Sequence, residues 1–274
     1  MGHHVDFSKN ADVYDRRHGA TVDDGLARRL TSLAALRPGA RVVDVGAGTG
    51  RVAIPLAEMG LTVTALDPAA SMLEKLRAKA RDLPMNIAVA VGGLLPLRDA
   101  QFDAAIIARL LYVVPEWREL VAELSRVLVP NGYILHEWGN GDADEEWVQI
   151  REEARRRFEA AGVPHPFHPG ARTDTEVAEA LYTLGFRRVD ELREPGDVER
   201  TLAEFLRMIV DGECSYTWNI PTPVRRVVLP ELAAWAVDRF DLTRPVVMPR
   251  EIRWTLYARG NRVQASPLAG NASR

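Results

Sequence analysis

Between residues 41 and 138, short apolar stretches alternate with amphipathic ones. "RVVDV" (41–45), "TVTAL" (62–66), "NIAVAV" (86–91), "FDAAIIA" (102–108) and "YILHEW" (133–138) read as strands. Residues 50–59, "AASMLEKLRAKARD" (69–82) and "EWRELVAELSRVL" (116–128) read as helices, the last with Leu120, Leu124 and Val127 on one face. Pro130, Asn131 and Gly132 read as a turn. Strand–helix alternation implies parallel strands joined by right-handed crossovers, hence a doubly wound α/β sheet. The strands are apolar throughout rather than every second residue, as expected when helices cover both faces.

The first strand runs into "VGAGTGR". A dinucleotide-binding turn asks for G-x-G-x-x-G, its third glycine letting the helix pack closely on the strand. Here Gly46, Gly48 and Gly50 give G-x-G-x-G, and Arg51 fills the third slot. A glycine-rich turn alone is weak evidence, because a plain strand-to-helix turn can look the same. Asp67 ends the second strand pattern, where an acid can accept from both ribose hydroxyls of a nucleoside. It is equally placed to cap the next helix, with Pro68 at that helix's first position.

After Trp138 the pattern changes. A charged helix, "DEEWVQIREEARRRFEAAG", precedes a loop rich in Pro and His. "DTEVAEALYTLG" (174–185) reads as a helix capped by Thr173 or Asp174, and "FRRVDEL" (186–192) as a strand. Residues 198–210 and 223–240 read as helices, the second interrupted by Pro230, and "EIRWTLYARG" (251–260) as a final strand. "VDDGLARRLTSLAAL" (22–36) reads as a helix ahead of the first strand.

The stretches from "VVDVGAGTGR" to "TALDPAASML" and from "LPLRDAQFDAAIIARLLYVV" to "VPNGYIL" resemble the class I S-adenosylmethionine-dependent methyltransferases, and among them the methyltransferase type 11 domain family. The likeness covers about residues 38–138. It implies a Rossmann-like sheet of seven strands, mostly parallel with an antiparallel end strand, plus a helical cap. The implied divisions are an N-terminal lid and first helix (1–37) and a cofactor-binding core (38–138). A mostly helical cap or substrate region (139–250) follows, which also lends the core a helix and strand at about 174–192. The last core strand (251–260) and a flexible tail (261–274) complete the chain.

The resemblance also implies roles. Gly46, Ala47, Gly48 and Gly50 bring backbone to the methionine part of S-adenosyl-L-methionine, and Asp44 orients that loop near its ammonium group. Asp67 holds the ribose, and Pro68 and Met72 lie against adenine. Tyr14, in "FSKNADVYDRRHG", is the lid's aromatic, with Phe7 and Arg17 beside it. Asp103 is structural, and Arg109 contacts the cofactor where the fourth strand ends. One position departs from the family: the acid that meets the adenine amino group after the third strand is replaced by Val91, leaving that contact to Gly92 and Gly93.

Methyl transfer asks the protein mainly for orientation and desolvation, with a base only where the acceptor must lose a proton. No base stands out. Arg109, Tyr112 and His136 are candidates, followed by Trp117, Glu137, Trp138, His165, His168, Tyr216 and Trp218; core packing or a solvated loop is the favoured reading of any single one of them. Strand alternation separates His136 and Trp138 from Glu137. His165 and His168 lack a third ligand, and His3 and His4 suit a solvated terminus, so no metal site is expected.

A net charge of −3 and the lack of a basic run disfavour nucleic acid, as does "ARLLYVVPEW" in place of the Asn/Asp-Pro-Pro-aromatic motif of amino-directed enzymes. The single cysteine, Cys214, excludes an internal disulfide and fits a reducing, cytoplasmic setting. "MGHHVDFSKN" has no apolar signal core, and no run is long enough to cross a bilayer. The expectation is a methyltransferase for a small-molecule acceptor, monomeric or homodimeric, without nucleic-acid or membrane partners. The competing readings are a non-catalytic binding protein of the same fold and, further off, an NAD-dependent oxidoreductase.

Overall fold

The computed structural model describes residues 7–18, 24–139, 144–163, 169–194, 198–248 and 252–260. His3, His4, His165, Phe167, His168 and the tail from 261 lie outside them. The strands are β1 (Arg41–Val45), β2 (Thr62–Asp67), β3 (Met85–Val89), β4 (Phe102–Ala108), β5 (Leu128–Gly139), β6 (Phe186–Glu194), β7 (Val198–Thr201), β8 (Pro245–Met248) and β9 (Ile252–Arg259). The α-helices are α1 (Ala11–His18), α2 (Asp24–Leu33), α3 (Ala53–Glu58), α4 (Ala70–Ala80), α5 (Trp117–Val127), α6 (Glu145–Ala160), α7 (Asp174–Thr183), α8 (Leu202–Val210) and α9 (Thr222–Arg239).

Seven strands form one sheet in the order β3-β2-β1-β4-β5-β9-β6. Neighbours from β3 to β5 pair in parallel. The antiparallel strand is β9, one place in from the edge, between β5 and β6. The chain builds outward from β1 to β3 and then returns to place β4 on the other side of β1. The carboxyl ends of β1 and β4 therefore flank the switch point, where open α/β sheets bind ligands.

Adjacent strand residues feed opposite faces. Val42, Val63, Ile106, Leu135 and Trp254 pack with α2, α3 and α4, while Val43, Ile107, Ile134 and Tyr257 pack with α5 and α7. A third apolar cluster joins α6, α8 and α9 through Trp147, Phe158, Phe205, Ile209 and Leu232. The rings of Trp147 and Phe205 lie 4.9 Å apart.

Four local expectations change. The Pro130 segment is no turn: β5 already pairs at Leu128 with Phe102, then shifts register so that Tyr133 faces Ala104. The intervening residues are accommodated as a bulge, which strand pairing tolerates. Helix α3 begins at Ala53 rather than 50, because the turn after β1 occupies the residues before it. Residues 198–201 form β7, antiparallel to β8, and the helix starts only at Leu202. Four residues are too few to show strand alternation, and Thr201 with Glu204 supplies a reciprocal capping box at the junction. Helix α9 continues through Pro230. Pro230 faces outward while Val228, Leu229 and Leu232 are buried, so packing outweighs the lost backbone hydrogen bond.

Phe158→Ala, in the centre of the third cluster, should destabilise the protein by about 3–5 kcal/mol in denaturant unfolding. Thr201→Ala should cost about 1 kcal/mol.

Candidate functional site

The turn after β1 is held from two sides. Gly46 and Ala47 both donate their N–H groups to the Leu66 carbonyl, at 2.8 and 3.0 Å. Gly46 has φ +74°, and a Cβ there would stand 2.6 Å from Leu110 Cδ1. Gly48 has φ +54°, and its missing side chain leaves its backbone open beneath Tyr14, whose ring carbon would be 3.6 Å from a Cβ. Gly50 closes the turn by donating to the Ala47 carbonyl at 2.9 Å.

Asp67 ends β2 beside this turn. One carboxylate oxygen accepts from the Gly48 N–H at 2.9 Å and the other from the Ala69 N–H at 2.8 Å. Asp67 thus anchors the turn, whereas the capping role read from the sequence is not seen: α4 starts at Ala70 behind an Ala69 N-cap, and Pro68 lies exposed ahead of it. Burial pushes the Asp67 carboxyl up, and the two N–H donors pull part of that back. Its remaining lone pairs can still accept from a ligand's hydroxyls.

Asp44, 1% exposed, lies behind the turn, and one of its carboxylate oxygens has no donor among the described residues. Burial pushes its carboxyl up to about 7, against the opposing pull of Arg51. A buried polar oxygen without a partner is costly, and it marks a place where a ligand's N–H or ammonium would fit.

Residues 7–18 lie across the turn. Ser71 Oγ donates to the Ser8 carbonyl at 2.8 Å, Lys75 pairs with Asp12 at 2.5 Å, and Lys79 pairs with Asp15. Phe7, Ala11 and Tyr14 pack with Ala69 and Met72. Phe7 meets Tyr14 edge-on at 6.0 Å and Trp218 at 5.1 Å, so this segment also touches the third cluster's side of the molecule. Burial pushes the Tyr14 phenol up, so it is a neutral donor at ordinary pH.

The carboxyl ends of β4 and β5 contribute the charge. Glu137 is fully buried. It accepts from Arg109 Nε at 2.6 Å and pairs with Arg51. Burial works to raise its carboxyl, but the two guanidinium groups outweigh that and hold it below the usual range. Arg109 adopts φ +54°, a conformation rare for a residue with a side chain, and donates its own N–H to the Glu137 carbonyl at 3.2 Å. The Arg51 and Arg109 side chains remain 19% and 16% exposed.

On the other face, His136 is 1% exposed and neither of its nitrogens has a hydrogen-bond partner among the described residues. Its Nδ1 is 3.5 Å from Asp174, which also accepts from Arg253 at 2.6 Å. Burial works to raise the Asp174 carboxyl, and His136 and Arg253 outweigh it. Trp138 stands edge-on to both His136 (5.9 Å) and Tyr112 (6.0 Å).

Asp44, Gly46, Ala47, Gly48, Gly50, Asp67, Met72, Tyr14 and Arg109 thus come together around one turn. Pro68 lies exposed at its rim. Val91 is 65% exposed, Gly92 has open space beside it, and Gly93 backs onto Glu119. Trp117 is buried among the sheet's packing residues, and Asp103 binds the Arg41 backbone and guanidinium, a structural role. The side chains of Arg17 and Tyr216 lie outside the described residues. Among the described residues no three potential ligands cluster as a metal site would require. A cavity of about 560 Å³ near Arg126 and Arg259 lies at the amino ends of β4 and β5, away from this turn.

The Arg51–Glu137–Arg109 cluster was not foreseen. Its signal was present, since a Glu inside an apolar strand, "YILHEW", needs a buried cation. Nothing in the sequence told which cation.

A family model described as a methyltransferase domain matches residues 43–136. Nocamycin O-methyltransferase of Saccharothrix syringae is 33% identical over 236 residues, covering 78% of this chain and 80% of that protein. An uncharacterized methyltransferase of Mycobacterium tuberculosis (strain ATCC 25618 / H37Rv) is 38% identical over 181 residues, 62% of this chain and 73% of that protein. Among solved structures, Haemonchus contortus phosphoethanolamine N-methyltransferase 2 in complex with S-adenosyl-L-methionine has a TM-score of 0.55 at 16% identity, covering 94% of this chain and 60% of that one.

Glu137→Ala should cost about 3–5 kcal/mol, since it strands two partly buried guanidinium groups. Asp44 holds its proton to about pH 7 in the folded protein, whereas an unfolded Asp releases it near ~4. Stability from this group should therefore fall as pH rises across that window. Asp67 adds in the same direction. Urea unfolding at several pH values should show the fall, and Asp44→Asn should flatten it.

Proposed function

Because the chain belongs to the methyltransferase domain family, we propose that it transfers the methyl group of S-adenosyl-L-methionine to a small-molecule acceptor. The observation that carries this reading is the Asp67–Gly48 hydrogen bond, which clamps the glycine turn against the end of β2 at the sheet's switch point. The site suits this cofactor. Asp67 offers free lone pairs where a ribose would lie, and Met72, buried against Ala11 and Ala69, backs the apolar side of that place. Asp44 offers an unpartnered oxygen to an ammonium group, and Arg51 a cation to a carboxylate. When bound, the cofactor supplies an electrophilic methyl group on a sulfonium, which an acceptor atom displaces in line as the electron pair of the broken bond returns to sulfur.

The protein's own part is positioning and exclusion of water. Tyr14 and Phe7 cover the turn, and the ends of β4 and β5 floor the acceptor's side. Arg51 occupies the third-glycine slot of a dinucleotide turn and is committed to Glu137, which argues against a nicotinamide cofactor. A small acceptor fits a site closed over by an aromatic segment and flanked by the α6–α8–α9 layer. The acidic overall balance gives no footing to nucleic acid.

Calorimetric titration should show micromolar binding of S-adenosyl-L-methionine and S-adenosylhomocysteine and none of NADH. Asp67→Ala should weaken the first two by about 1–3 kcal/mol. Unchanged affinity in that variant would reduce Asp67 to a loop anchor and remove it from the cofactor site. Binding should also tighten as pH rises through about 7, because Asp44 must be ionised to accept an ammonium group.

A further inference from the structure

We infer that the acceptor is an organic oxyanion, a carboxylate or the conjugate base of an acidic enol or phenol, and that Arg109 is the residue that binds it. The inference rests on the methyltransferase reading above.

Arg109 is fixed for this task. Its Nε is committed to Glu137 at 2.6 Å. Its two terminal nitrogens bond no other group among the described residues, and the side chain keeps 16% of its surface exposed. A guanidinium held through Nε still presents its terminal N–H pair as a planar fork, the geometry that matches a carboxylate or other oxyanion. Its backbone is held at φ +54°, directly after β4, at the carboxyl edge of the switch point. Such conformations persist where the surroundings impose them, and they collect at ligand sites.

The charge count points the same way. The charged and titratable groups around Arg109 are Arg51, Glu137, Tyr14, Asp67 and Asp44. Glu137 is one carboxylate shared by two guanidinium groups, so the Arg51–Glu137–Arg109 cluster taken by itself carries a net positive charge. Asp67 and Asp44 lie on the cofactor side of the turn, Asp67 against the Gly48 and Ala69 N–H groups and Asp44 behind it. An ammonium-bearing acceptor would meet two guanidinium groups here, an unfavourable juxtaposition.

The described carboxylate and phenol beside Arg109 are poor proton acceptors. Glu137 is buried and doubly paired, and Tyr14 is a neutral phenol. The ring nitrogens of His136 are enclosed on the opposite face. None of these three groups would help a neutral alcohol lose its proton. An acceptor that arrives ionised gives up no proton, and Arg109 favours that form.

The test uses the whole protein with S-adenosylhomocysteine bound and 4-nitrophenol as probe, since its anion alone is yellow. In the loaded wild type the probe's titration midpoint should move to lower pH by about one unit, a tenfold preference for the anion. Arg109→Met should abolish the shift while weakening S-adenosylhomocysteine no more than about threefold. Arg109→Lys, which keeps the cation and its pairing with Glu137 but not the fork, should retain part of it, and so guards against misfolding of the methionine variant. No shift in the wild type, or an equal shift in Arg109→Met, would overturn the proposal. A loss falling on S-adenosylhomocysteine instead of the probe would assign Arg109 to the cofactor and also overturn it. Failure of the wild type to bind S-adenosylhomocysteine at all would sink the methyltransferase reading itself, and this inference with it.

Discussion

A carboxylate with no exposed surface has to be paired, and in this protein the pairing of Glu137 ties the site together. Its two partners come from distant parts of the chain. Arg51 belongs to the turn after β1, and Arg109 follows β4. Burying the carboxylate unpaired would cost several kcal/mol, so the sheet fixes both arginines wherever it fixes β5. The ends of β1, β4 and β5 are thereby held in one arrangement, and the floor of the site inherits the rigidity of the sheet. Pairing one buried anion with two cations also determines what the floor offers: a fork of donors and residual positive charge.

The cofactor side is organised by a second buried carboxylate. Asp67 spends its two oxygens on the N–H groups of Gly48 and Ala69, which fixes the glycine turn to the start of α4. The segment with Phe7 and Tyr14 is anchored to that same helix by Lys75 and Lys79. Turn, helix and covering segment therefore form one unit. Trp218 meets Phe7 and links that unit to the helical layer built by α6, α8 and α9. This layer has its own apolar core, so it can vary among relatives without disturbing the sheet.

The centre of the sheet was legible because β1, β2 and β4 are short, apolar and each followed by a helix with one greasy face; β4 was read residue for residue. The position of Asp67 at the end of the second strand was legible, but its bond to the Gly48 N–H across the turn was not, because that depends on how β1 and β2 pair. β7 and β8 were not, since four-residue strands in a two-stranded ribbon carry no readable period. Pro230 misled for the opposite reason: a strong local rule was overruled by the buried residues on either side of it. Thr173 settled the alternative caps of α7, and Asp174 went instead to His136 and Arg253.

The sequence by itself determined the local period of each element, the glycine turn and the acid beside it, because backbone conformation and burial pattern are set by near neighbours. It therefore determined the fold class and the cofactor that such a fold implies. Only the tertiary structure decided which charges meet. Arg51 and Glu137 are 86 residues apart in the chain, and His136 and Glu137 are adjacent yet face opposite sides of the sheet. Pairing across such distances depends on strand order and register, which bring far residues within a few ångströms and send neighbours apart.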